Sequence, residues 1–228
     1  MIETPYFGIV LSLAAYIAGI KLNRLSGGNP FVNPLALACI FCIAFMLAFD
    51  IPLEAYMLGG NYILFLIAPA TVALVINLYK NIDLLKKNWI AIIIGISIGS
   101  FIHFISVILL CRIFGLGATE TISMTTKSLT AAISVSLTEE YGGIVTITVI
   151  MVISQGIIGA IIAQPLYKLL NIEDPVAQGV GMGTAAHAVG TAKALELGEV
   201  QGAMSGLSIA VTGFISVVAL PFLIRTFL

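Results

Sequence analysis

The sequence predicts an all-α, polytopic membrane bundle. It should have about six full spans and two discontinuous or re-entrant polar segments in a repeated C-terminal half. Three observations carry this. Of 228 residues, 60% are apolar and only 9% charged, against about 25% charged in an ordinary soluble domain. Mean hydropathy is +1.13. Two stretches of the second half interrupt this apolar character with hydroxyls, glycines and isolated cations. Ten Lys/Arg against eleven Asp/Glu exclude both a basic nucleic-acid binder and an acidic disordered chain.

Six apolar segments read as spans: Pro5 to Leu22, Pro34 to Phe49, Gly60 to Tyr79, Trp89 to Phe114, Ile144 to Leu166 and Ala203 to Ile224. Helices are expected, because lipid offers no partner for backbone polar groups. Residues 1–88 would form a three-span scaffold and 89–228 the repeated half of one integral membrane domain. Glu3 and the lack of an A-x-A site argue against a cleavable signal, so the first segment is taken as a span. Asn33-Pro34 reads as a cap and first turn. Pro69 would kink the third span, and Asn77 would bond between helices. Lys21 and Arg24 follow the first span, Lys80, Lys86 and Lys87 the third, while the loop between carries Asp50 and Glu54. A multi-pass place in the cell membrane is expected, and the positive-inside rule puts the N-terminus outside and the two Lys/Arg-bearing loops in the cytoplasm. Cys39, Cys42 and Cys111 lie in apolar runs and read as small hydrophobes. His103, between Ser100 and Ser106, reads as helix-packing glue before any proton role.

The polar stretches are Thr119 to Gly143, centred on Lys127, and Pro175 to Gly202, around His187 and Lys193. Each follows an apolar span and ends in an acidic residue and glycine. Polar backbone at membrane depth is tolerated only inside protein or beside water, and Gly-interrupted segments in corresponding positions point to a transporter's binding site. If both segments re-enter, the two copies have opposite orientation; if both cross, they are parallel. Gly183, His187, Gly190 and Ala194 stand at helical spacings, as do Thr184, Ala188 and Thr191. Small residues at that spacing also pack helices together. Lys127 and Lys193 are candidate counter-charges for a carboxylate, with Ser128, Thr130, Thr184 and Thr191 as neutral donors. His187 and Glu196 are candidates for proton coupling, although Lys193 and Glu196, at i and i+3, would also simply pair. No nucleophile elbow, H-E-x-x-H or P-loop is present; no enzyme, cofactor or metal role is expected.

These residues carry a resemblance. The run Asp174-Pro175-Val176-Ala177 through Gly183-Thr184-Ala185-Ala186-His187, and then Gly190 to Glu199, closely resembles the LrgB/CidB family. So do Ala68 to Leu74 and Lys127-Ser128 with Thr130. Where the family reads P-K-S-V-T-T-P, this chain has Thr126, Ala131 and Ala132 in place of Pro, Thr and Pro. That departure predicts a more continuously helical first segment. The resemblance implies an antiholin-like regulator of murein hydrolase activity and lysis, or a carrier of small carboxylates such as pyruvate, glycolate or glycerate. It further implies a small LrgA/CidA-like membrane partner, and leaves a homo-oligomer open. The concentration of polarity in two segments favours the carrier, with a monocarboxylate held between them and access alternating against the N-terminal spans.

Overall fold

The computed structural model describes residues 4–29, 32–66, 69, 72, 76 and 79–227. Among these every regular element is a helix. Four helices are long and apolar enough to cross a membrane: α1 (Pro5–Leu25), α4 (Ile82–Ile113), α7 (Val145–Leu169) and α9 (Glu199–Phe227). The chain divides into two compact units, Met1–Ala73 and Leu74–Leu228.

The first unit holds α1, α2 (Pro34–Ala48) and α3 (Leu53–Phe65). Asn33 caps α2 as expected, its Oδ1 accepting from the N–H groups of Leu35 at 2.9 Å and Ala36 at 3.1 Å. Helix α3 begins ahead of the expected third span. Most of the rest of that span, with the neighbours of Pro69 and all of Asn77, lies outside the described residues.

The second unit is organised by three long helices. Helices α4 and α9 run parallel: Lys80, before α4, faces Glu199 at 3.8 Å, and Arg112 near its end donates to the Phe227 carbonyl at 2.5 Å. Helix α7 runs the other way. Between α4 and α7 the first polar segment forms α5 (Ala118–Thr126) and α6 (Ala131–Glu140). Between α7 and α9 the second forms α8 (Pro175–Leu197).

Both polar segments are hairpins. In the first, Ile133 reaches Gly213, and Leu137 packs in one cluster with Leu220, Leu223 and Ile224. Helix α6 therefore climbs back toward the end where α5 began. The expectation of a continuously helical first segment fails here: residues 127–130 break it despite the absent prolines. Buried hydroxyls supply the reason. Thr126 Oγ1 meets Thr138 Oγ1 at 2.6 Å, Thr138 meets Thr148 at 2.9 Å, and Ser123 Oγ accepts from the Ile144 N–H at 2.6 Å. Such ties in a dry interior are costly to leave unmade, and they hold α5, α6 and the start of α7 together across the break.

The second hairpin turns at His187, whose backbone is non-helical (φ 46°, ψ −129°). Gly179 and Gly183 of its first half pack on Gln201 and Ser205 of α9 in rising order. Thr191 and Leu195 of its second half meet Ser205 and Gly202 in falling order. Gly183, His187, Gly190 and Ala194 thus do not form the single helical stripe their spacing suggested, because the chain reverses in their midst. A non-glycine residue at positive φ costs of order 1–3 kcal/mol and persists only where its surroundings hold it.

Candidate functional site

The hairpins enter the unit from opposite ends and touch at their tips. His187 Nε2–H donates to the Ser128 carbonyl at 2.8 Å. Gln155, near the middle of α7, joins the same two tips. Its Oε1 accepts from Lys127 Nζ at 2.6 Å, and its Nε2 donates to the Ala185 carbonyl at 2.8 Å. Gln155 and Ser128 thus couple the breaks, which is what holds His187 in its strained conformation.

A cavity of about 900 Å³ lies beside the tips. Its polar end is formed by Lys127, Ser128, His103, Gln155, Ser154 and Thr184, with Thr212 and Ser216 from α9. From there it extends along Ile158 and Ile162 of α7 and Val180 of α8 toward the end where α4 and α8 begin, reaching Asn88 and Asp174. On the other side of the tips the space is filled. Leu129, Leu137, Leu220, Leu223 and Ile224 form one buried cluster there, and Phe104, which also lines the cavity, joins it. Among the described residues the cavity thus lies on one side of the contact between the hairpins, with the cluster on the other.

The charge and hydrogen-bond inventory of this cavity selects its guest. Lys127 is half-buried, and no carboxylate lies within ion-pair distance of it among the described residues. Four buried hydroxyls on the wall, those of Ser100, Thr184, Thr212 and Ser216, have no hydrogen-bond partner in the protein. Each such group costs roughly 1–3 kcal/mol when left unsatisfied. One ammonium with several free hydroxyls fits a small organic anion. The sole carboxylate of the lining, Asp174, sits at the far end of the cavity and caps α8 by accepting from the Ala177 N–H at 2.9 Å.

The expected site residues divide accordingly. Lys127, Ser128 and Thr184 line the cavity. His187 stands behind it as the pin between the tips, and Thr130 is the N-cap residue of α6. Gly183 lets α8 approach α9: a Cβ there would overlap the Ser205 carbonyl oxygen. Gly190 sits in the turn against the Met182 carbonyl, and Thr191 Oγ1 pairs with Ser205 Oγ at 2.7 Å. Lys193 is bound to Glu196 at 2.7 Å, and neither lines the cavity. Glu196 is largely exposed, with a side chain 60% accessible. Replacing Lys193 by Ala is accordingly expected to lower unfolding free energy by no more than about 1 kcal/mol, measured by thermal denaturation in detergent; a larger loss would mean the pair is structural.

The cavity also holds polar residues that the sequence did not mark as a site, among them Ser154, Gln155, Thr212, Ser216 and His103. His103, expected as packing glue ahead of a proton role, has its ring facing the cavity with Nε2 against Ser128 Oγ. Gln155 was passed over within an apolar run. The available signal was chemical: a primary amide and an imidazole in mid-span, where a polar group must find protein or water.

Comparison with known proteins places this chain in a family. The LrgB-like family model matches residues 12–226. The chain is 38% identical to the antiholin-like protein LrgB of Bacillus cereus (strain B4264) over 218 residues, 96% of this chain and 95% of that one. The antiholin-like protein LrgB of Bacillus anthracis (strain A0248) matches with the same identity and coverage. No solved structure matches. With a family model spanning nearly the whole chain and relatives matched almost end to end, the chain belongs to the LrgB family.

Proposed function

We propose that this membrane protein is a carrier of small monocarboxylates of the pyruvate or glycolate kind, acting with a small LrgA-like membrane partner. The observation that carries this reading is the half-buried Lys127 ammonium. It lies at the end of a one-sided cavity, without a carboxylate partner and among hydroxyls that have none. A cation held in a partly desolvated site without an internal counter-ion is a standing attraction for an anion. Two discontinuous segments meeting tip to tip, entered from opposite ends, are the arrangement in which inverted-repeat transporters hold substrate. Taking the end with Lys80, Lys86 and Lys87 as cytoplasmic, the cavity opens inward and the apolar cluster around Leu129 and Leu220 closes the outer side.

A second reading is favoured by the names of the relatives: an antiholin-like regulator of murein hydrolase activity and lysis. The two readings separate in vesicles. Reconstituted protein is expected to take up labelled pyruvate while retaining an entrapped fluorescent dye of larger size. Dye release would mark a pore. Absence of uptake, with or without the partner protein, would remove the carrier reading and leave the regulator.

A further inference from the structure

The chain has two histidines, and both meet Ser128. His187 is bonded to its carbonyl from behind the cavity; His103 contacts its hydroxyl from the cavity wall. Ser128 Oγ donates to the Thr125 carbonyl at 3.2 Å. Its contact with His103 is then made with the imidazole N–H as donor, Nε2–H to Oγ. That leaves His103 Nδ1 with a free lone pair on the cavity wall; His187 Nδ1 is also without a partner, but His187 does not line the cavity.

The surroundings of this ring are unusual in sign. From the first hairpin it faces Lys127, and from α8 it faces His187. Helix α7 contributes the neutral amide of Gln155, and α9 the hydroxyls of Thr212 and Ser216. On α4 itself Cys111 is buried and does not line the cavity. Among the described residues no carboxylate stands by to accompany an imidazolium; Asp174 is at the other end of the cavity. With the cavity empty, a second positive charge beside Lys127 is opposed by that ammonium. A carboxylate bound at Lys127 cancels the opposition and adds an attraction of its own. Proton and anion therefore favour one another's binding, and linkage makes the effect reciprocal.

We infer that His103 is the proton-binding group of the cavity, taking one proton at Nδ1 together with each carboxylate that binds at Lys127. The inference rests on the carrier reading and adds its coupling ion. Proton and carboxylate enter as a pair with no net charge; on release the proton leaves Nδ1 for water and the ring returns to its neutral, Ser128-bound form. His187, which does not line the cavity, and Glu196, bound to Lys193, take no part in this step.

Two measurements test it. Pyruvate added to the purified wild-type protein in lightly buffered detergent solution, followed with a pH-indicating dye, should draw protons from solution as it binds, more per anion at about pH 6 than at about pH 8. In vesicles at equal pH on both sides, pyruvate exchange by the wild type should fall roughly tenfold between about pH 6 and about pH 8. The substrate stays ionised throughout that range. His103→Gln should exchange several-fold more slowly at the acid end and lose the pH dependence. His187→Gln should keep the dependence in whatever exchange it retains. Proton-free binding by the wild type, a flat wild-type profile, or dependence lost in His187→Gln and kept in His103→Gln each overturns the inference while leaving the carrier standing. Failure of the wild type to bind or exchange pyruvate at all would overturn the carrier reading and this inference with it.

Discussion

Replacing Lys127 by Gln is expected to weaken pyruvate uptake in reconstituted vesicles by roughly 10- to 100-fold. A hydrogen bond to a charged group contributes about 1.5–3 kcal/mol net, and each 1.4 kcal/mol is tenfold in binding. The same substitution should leave the folded protein as stable as before, or slightly more so. Lys127 has one protein partner, the neutral Oε1 of Gln155, and the desolvation of its ammonium is not repaid by any carboxylate. Function and stability thus move in opposite directions, which a merely structural lysine would not do. Labelled-pyruvate uptake and a detergent melt, done on the same preparation, read both. Uptake that survives the change would take Lys127 out of the site, and a melt that collapses would make it a structural tie between the hairpin tips.

The largest stability effect is expected at Gly183. A side chain there would overlap the carbonyl oxygen of Ser205, so Gly183→Val must push α8 away from α9 or distort one of them. Overpacking of this kind costs about 1–3 kcal/mol. Separation would also loosen the buried Thr191–Ser205 pair on the returning half of the hairpin. Gly181, two residues earlier, is the internal contrast. A Cβ there would first meet the Tyr167 hydroxyl at 3.5 Å, an ordinary contact. Gly181→Ala should therefore be tolerated, and gain a little from helix propensity. Thermal unfolding of the two variants side by side decides the point: equal melting temperatures would mean that α8 and α9 do not approach as described.

Several elements were legible because a local rule dictates them. The long α4, α7 and α9 follow from uninterrupted apolar length, and the start of α2 from Asn33 before Pro34. The two polar segments were recognisable as foreign to lipid from their hydroxyls and glycines. Their fold was not. Helical spacing linked Gly183 with Gly190, and missing prolines argued for continuity around Lys127. Both signals describe a chain with no neighbours. In the folded unit, Thr126, Thr138 and Thr148 close the first hairpin, and a bond from His187 to Ser128 holds the second open to a conformation that His187 would not adopt alone.

The candidate site divides along the same line. Lys127, Ser128 and Thr184 were visible as polar groups in polar company, while His103 and Gln155 were concealed within apolar helices and emerge only where α4 and α7 face the tips. Lys193 carries the same charge as Lys127 and lies in a comparable stretch, yet it is bound to Glu196 one turn away. Composition and hydropathy alone determined that this chain lives in a membrane and that two of its segments must be sheltered there, since transfer free energy is summed residue by residue. Which cation faces a cavity, which histidine faces it, and where each segment reverses were decided by contacts between residues far apart in the chain. A backbone reversal or an unpaired charge is stable only when distant side chains supply its partners, and those partners are chosen by the packing.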